Sequence, residues 1–390
     1  MLLNCHTCYS FCYGTFQPEE LLDALQRAGY RSFVLSDINN TSACIDMIRM
    51  AGERQIKVAV GIDFRNGCRQ QYIGIARNNE GFLELNEHLS AHLHTSSAFT
   101  AQAPVFNHCY VVYPLESYTG WPLHEHEYLG IRAQEIPTLP FHPARHWIKK
   151  MVILQSVSFS GRLQYNMHRL LRAIDTNTLL SKLPPSEQAA PYEYLPPRNE
   201  LLQAFASYPS IIQNTEALLQ NCSIEFLYGK LANKNLNHYT ASVTDDIQLL
   251  RSECMAGLSY RYPGTPPPDV LQRLEKELEV ITQMNFCSYY LINLDIVRFA
   301  QRKNFYYVGR GSGANSLVAY LLRITDVDPI ELDLYFERFI NLYRNNAPDF
   351  DMDFSWTDRE AITAYIFDRF GKKRTALLGA YSTFQHDAVI

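Results

Sequence analysis

The sequence predicts an α/β chain in two parts: a barrel of parallel strand–helix units, then a helix-rich α+β domain closed by two short strands. Two observations lead there. Over residues 1–93 short apolar strands alternate with amphipathic helices and no hairpin stands out, which is the pattern of βαβ units. Over residues 305–356 a strand, a glycine-serine loop, an apolar helical segment and an aspartate-bearing strand follow one another.

In chain order, residues 1–16 open with a strand. QPEELLDALQRAG at 17–29 is an amphipathic helix with Pro18 in its first turn and Gly29 as its stop. YRSFVLSD at 30–37 reads as a buried strand ending in an acid. A helix over 41–53, strands over 56–64 and 71–77 and a helix over 80–93 follow. Asp37 and Asp63 close their strands, where α/β barrels place their chemistry. The Pro-rich stretch 175–199 is a long connection, and a helix spans 200–220. The domain boundary falls near residue 230, dividing the chain into 1–230 and 231–390. In the second part, helices are predicted over 243–260 with Thr244 as cap, over 269–285 after the GTPPPD break, over 288–303 and over 328–340.

The chemistry concentrates in FYYVGRGSGANSLVAYLLR (305–323) and APDFDMDFSW (347–356). Strand, Gly-rich loop and the N-terminus of the following helix together present backbone N–H groups to an anion such as a triphosphate. Asp349, Asp351 and Asp353 are spaced two apart, so on a strand all three carboxylates share one face. Aspartate is a poor strand former and three on one face repel, an arrangement retained mainly to hold cations such as Mg²⁺. A phosphate cradle beside a divalent-metal platform points to nucleotidyl transfer.

These residues resemble the palm of the bacterial DNA polymerase III alpha subunit family, the C-family replicative polymerases. The resemblance is nearly continuous from GRGSGANSLVAYLLRITDVDPIELDLYFERFINLYR to PDFDMDF. It implies a nucleotidyltransferase-like palm in which Gly311 and Ser312, with Gly313, bind the incoming dNTP, and Arg310 and Arg338 lie near its triphosphate. It also implies that Asp349 and Asp351, the catalytic pair, hold two Mg²⁺ ions, with Asp353 on the same face. The first part resembles the PHP domain that opens the same family, a distorted α/β barrel with three metal ions in many relatives. Here the family's metal positions read Asn4-Cys5-His6, Asp37-Ile38, Asp63, Gln71 and Ser156-Val157-Ser158. Asn, Ile, Gln and Ser are poor ligands, so no PHP metal cluster and no phosphoester hydrolysis are expected, and His6, Asp37 and Asp63 are relic positions. The resemblance further implies primer-template DNA as substrate, a proofreading exonuclease docked on the PHP domain, and a sliding clamp bound through regions beyond this chain. A third catalytic aspartate, thumb and fingers are expected past residue 390, so the chain is expected to be an N-terminal fragment, inactive alone in primer extension.

Hydrophobic content of 47% and charged content of 19% describe a globular chain. With no long apolar run and no signal-like N-terminus, a cytoplasmic protein is expected. A net charge of −5 argues against a complete DNA-gripping surface, but Arg298, Arg302, Lys303, Arg310, Arg323, Arg338 and Arg344 gather around the two motifs, with Lys372, Lys373 and Arg374 beyond. Nine scattered cysteines read as reduced thiols, Cys5, Cys8 and Cys12 included. The paired histidines His92/His94, His124/His126 and His142/His146 read as loop residues. Two rival readings carry less: a dinucleotide-binding loop leaves Arg310 and the aspartate strand unexplained, and a PHP-type phosphoesterase lacks its ligands.

Overall fold

A computed structural model describes residues 1–226, 236–343 and 349–380. It divides into two compact units, Met1–Leu231 and Ala232–Ile390, and the boundary expected near residue 230 lies outside the described residues.

The first unit opens with β1 (Asn4–Cys5), α1 (Pro18–Arg27), β2 (Ser32–Leu35), α2 (Cys44–Glu53), β3 (Lys57–Asn66), β4 (Arg69–Ala76) and α3 (Asn79–Thr95). It continues with β5 (Cys109–Pro114), β6 (Glu127–Ile131), β7 (Met151–Ile153), β8 (Ser156–Val157), α4 (Arg162–Asp175), α5 (Arg198–Ala204) and α6 (Pro209–Gln220). The strands form one sheet in the order β7-β6-β5-β4-β3-β2-β1-β8. Flat, its two edges would stand roughly 34 Å apart, seven spacings of about 4.8 Å. Yet only Leu154 and Gln155 separate β7 from β8, a reach of about 11 Å. The sheet is therefore curled into a PHP-type open barrel, lined by Leu2, Val34, Val60, Ile62, Ile73, Val112, Leu129 and Val152, all buried.

The expected absence of hairpins is wrong. β3 and β4 pair antiparallel, as do β4 and β5, while the remaining neighbours are parallel. The connection carries Asn66-Gly67, a strong short-range hairpin signal. The register slips between Phe64 and Arg65, a bulge that leaves Gln71 outside the Cα pairing. The predicted helix 200–220 is two helices, α5 and α6, because Pro209 can only begin a helix. His92 and His94 lie in the last turn of α3, not in a loop.

The second unit comprises α7 (Val243–Arg261), α8 (Pro268–Gln283), α9 (Cys287–Arg302), β9 (Tyr307–Arg310), α10 (Leu317–Leu321), β10 (Asp351–Phe354) and α11 (Arg359–Phe370). Helices α7 to α10 share a core of Leu250, Leu274, Ile281, Tyr290, Leu294, Leu317 and Leu321. The cap of α7 is Ser242, whose Oγ accepts from Asp245 N, rather than Thr244. The helix expected over 328–340 does not form. Asp328 Oδ1 takes the amides of Ile330 and Glu331, Asp333 turns left-handed with φ 47°, and only a 3-10 turn at Phe336–Arg338 remains. Phe336, Phe339 and Ile340 are buried from this irregular segment.

Candidate active site

β9 and β10 make a two-stranded antiparallel ribbon in which Asp351 stands opposite Arg310 and Asp353 opposite Val308. Its apolar face is fixed first. Phe350 stacks on Tyr289 at 5.3 Å and meets Phe339 at 4.9 Å, and its amide donates to Tyr289 Oη at 2.8 Å. Met352 and Phe354 pack with Ile296, Ala300 and Ile362. Side chains alternate along a strand, so Asp351 and Asp353 are turned to the exposed face, and Asp349, just before the strand, is exposed as well.

Arg310 ends β9, and a 3-10 turn at Gly311–Asn315 leads to α10. Gly311 has φ 74°, and a Cβ there would lie 2.7 Å from Asp351 Oδ2. A Cβ on Gly313 would lie 2.6 Å from the Phe350 ring. The turn thus lies directly on the aspartate strand, with Gly311 favoured by its positive φ and Gly313 by the closeness of the Phe350 ring. Ser312 sits between them, and its carbonyl accepts from Asn315 Nδ2 at 2.9 Å. The turn bearing Arg338 packs beside the glycine-serine turn. Arg338 is exposed.

The exposed acids have a counter-charge already. Arg310 Nε meets Asp353 Oδ2 at 2.6 Å and its Nη1 lies 3.6 Å from Asp351 Oδ2. The expected basic cluster is partly committed elsewhere. Arg298 pairs with Glu253, Arg323 lies over Tyr260 with Cζ 4.8 Å from the ring centre, and Arg344 lies outside the described residues.

One expectation for this loop is corrected. The N-terminus of α10 is not open to a phosphate, because the buried carboxylate of Glu277 takes the amides of Leu317 (3.0 Å) and Val318 (3.1 Å) and the hydroxyl of Ser316 (2.9 Å). Burial pushes the Glu277 carboxyl above the ordinary range, against those donors and Arg273. An anion can still meet the amides of the turn itself.

In the first unit the relic positions converge on a buried polar network. Asp63 Oδ2 accepts from Arg65 Nε (2.9 Å) and Nη2 (2.7 Å), Gln70 Nε2 (2.9 Å) and Asn4 Nδ2 (3.2 Å), and lies 3.0 Å from His6 Nε2. Burial alone would raise Asp63; the Arg65 guanidinium and the His6 contact hold it far below the ordinary carboxylate range. Asp37 accepts from Thr7 N and Oγ1 and from Ser10 Oγ, and burial pushes it up against those bonds. Ser156 and Ser158 bond Asn4 and His6. Gln71, expected at a ligand position, points instead to Arg69 O on its own strand, and Gln70 faces Asp63. Arg65 and Gln70 are absent from the sequence reading; the Asn66-Gly67 hairpin between them could have placed them beside Asp63. Among the described residues no group of three or more His, Cys, Asp or Glu side chains is arranged to hold a metal, and no helix is long and apolar enough to cross a membrane.

Comparison with known proteins agrees with both halves. Residues 3–116 match the PHP domain, and residues 248–390 match the bacterial DNA polymerase III alpha NTPase domain. The chain is therefore a PHP barrel followed by a polymerase-type palm. It is 27% identical, over 98% of its own length, to 39% of an error-prone DNA polymerase of Symbiobacterium thermophilum. It is 40% identical, over 47% of its length, to 16% of a DNA polymerase III subunit alpha of Halalkalibacterium halodurans, and 30% identical, over 62%, to 21% of that of Escherichia coli K12. The matched domains and these relatives are those of bacterial DNA polymerase III alpha subunits and error-prone DNA polymerases, and the chain spans about two fifths or less of the length of these relatives.

Proposed function

We propose that residues 231–390 are the nucleotide-binding part of a DNA-directed DNA polymerase palm, and residues 1–230 a PHP domain without a metal cluster. The observation that carries this reading is the contact between turn and strand: Gly311, at a φ of 74° that L side chains rarely adopt, lies directly against the Asp351 carboxylate. Carboxylates on an exposed face are the oxygen donors that Mg²⁺ takes, so Asp349 and Asp351, with Asp353 beside them, would hold it. When bound, two such ions lower the pKa of a primer 3′-hydroxyl and neutralise the triphosphate. The chain's own groups do the rest. The amides of Gly311, Ser312 and Gly313 bind phosphate oxygens, and Arg338, on the neighbouring turn, supplies a cation. Arg310, paired with Asp353 and 3.6 Å from Asp351, would compete with a metal ion for the same oxygens and would be a cation available to the triphosphate.

The direct test is titration of the chain with a fluorescent dATP analogue and Mg²⁺. Saturable, Mg²⁺-dependent binding lost in Asp351→Asn supports the reading, and metal-independent binding overturns it. Primer extension is expected to be absent for this chain alone and present in a polypeptide of the relatives' length; robust extension by the 390 residues contradicts this. Primer-template DNA, dNTP and a cytoplasmic location follow from the same reading.

The PHP network supports a structural role over hydrolysis. Asp63 Oδ2 is filled by a guanidinium and two amides; Oδ1 is buried without a partner among the described residues, but the Arg65 cation 2.7 Å from the same carboxylate disfavours a second cation there. Metal analysis finding no tightly bound zinc or manganese is the expected result. A second role, docking of a proofreading exonuclease subunit, is favoured by α4. Leu163, Met167, Leu170 and Ile174 recur at helical spacing and are 85%, 55%, 45% and 49% exposed. Capture of a 3′–5′ exonuclease that is lost in Met167→Asp/Leu170→Asp is the outcome expected.

A further inference from the structure

The nucleotide-facing turn has no long element of its own to hold it. β9 has four residues and α10 has five, too few to fix a loop by helix or sheet cooperativity. What fixes it is a pair one turn apart on α8. Glu277, fully buried, bonds Ser316, Leu317 and Val318 as described, and Ser316 Oγ also lies 3.2 Å from Tyr290 Oη. Arg273 donates from Nε to Glu277 Oε1 at 2.7 Å. Its Nη2 then divides between two segments, Asn315 O at 3.1 Å and Leu334 O at 2.9 Å, and its Cζ stands 5.8 Å from the ring centre of Phe336. Asn315 closes the turn through Ser312 O, and Leu334 and Phe336 lead into Arg338. One guanidinium thus ties the last residue of the glycine-serine turn to the strand of chain that carries Arg338.

We propose that Arg273 and Glu277 are positioning residues for the triphosphate site: Glu277 anchors the exit of the glycine-serine turn, and Arg273 sets its distance from Arg338. The inference rests on the nucleotide reading of that turn. Glu277 also explains why the start of α10 is closed to phosphate, since a protein carboxylate already fills it. The bidentate guanidinium matters rather than the charge alone, because a lysine ammonium on Glu277 cannot span both carbonyls at once.

The test uses the 390-residue chain and the variants Arg273→Lys and Glu277→Gln. Amide hydrogen exchange is expected to rise about tenfold or more in Arg273→Lys, in residues 311–318 and 334–338 together, with α9 unchanged as internal control. Affinity for the fluorescent dATP analogue with Mg²⁺ is expected to fall about tenfold, while Mn²⁺ binding to the aspartate face stays as in the wild type. Glu277→Gln, which keeps one acceptor oxygen, should lie between the two. Exchange that rises in one segment only, or analogue affinity unchanged in Arg273→Lys, overturns the inference. A wild-type chain that binds neither Mn²⁺ nor the analogue instead sinks the nucleotide reading, and the positioning role with it, even if the two segments still loosen together.

Discussion

Both units place arginine against aspartate, and the two pairs behave as opposites. Arg65 and Asp63 are almost entirely buried, with side chains 3% and 0% exposed; Arg310 and Asp353 are 59% and 58% exposed. In the barrel Asp63 Oδ2 takes every contact, from Arg65, Gln70, Asn4 and His6, while Oδ1 is buried with no hydrogen-bond partner among the described residues, so only one oxygen of that carboxylate is committed. On the ribbon water competes for the same contacts, so the pair is a loose arrangement, which is what the proposed metal site requires. Burial rather than residue type separates the two pairs, and under the proposed function it separates an acid kept for structure from one left for a ligand.

The sharpest break of that contrast is Arg65→Met. Removing one partner of a buried pair leaves an uncompensated carboxylate, and the first unit is expected to lose about 3–5 kcal/mol in urea denaturation. A loss below about 1 kcal/mol would place the buried pair with the exposed one. Asp351→Asn is expected to do the reverse: analogue binding falls at least about tenfold while the unfolding free energy stays within about 0.5 kcal/mol of wild type.

Acid separates the units next. Burial lowers His88 from 6.5 to about 4, with His92 adding to the effect. A base depressed by folding adds stability in full above 6.5 and loses it as pH falls towards 4, where the folded ring also protonates. The urea midpoint of the first unit should therefore decline across that window, well before Asp63 is protonated, and His88→Gln should flatten the decline. The smallest effect is expected for Arg310→Ala. Mn²⁺ binding, read by electron paramagnetic resonance, should tighten about two- to fivefold because the resident cation is gone. Weaker Mn²⁺ binding would mean that Arg310 does not compete for the aspartates.

The ribbon was legible because its signal is local. Alternation in PDFDMDF and the glycine spacing around Ser312 place acids and turn without knowledge of distant chain. The barrel was legible in its strands and helices but not in its centre. Arg65 is a strand residue two beyond Asp63, and only the antiparallel return of β4 and the bulge at Gln71 turn Gln70 inward beside it. Glu277 and Arg273 were hidden for a similar reason. On α8 they read as one more charged pair of an amphipathic helix, and the backbone groups they serve lie about forty to sixty residues later. The helix expected over 328–340 failed because Asp328 and Asp333 favour turns that a count of apolar spacing does not weigh.

The pairing of β1 with β8 joins Asn4 to Ser156 and Cys5 to Val157. Synthesis runs from the amino end, so the earliest strand must wait while more than a hundred and fifty residues emerge before its second neighbour exists. Until then one side of β1 is an open row of amides and carbonyls. Closing the barrel therefore needs a contact between residues about 150 positions apart, a non-local pairing of the kind that slows folding.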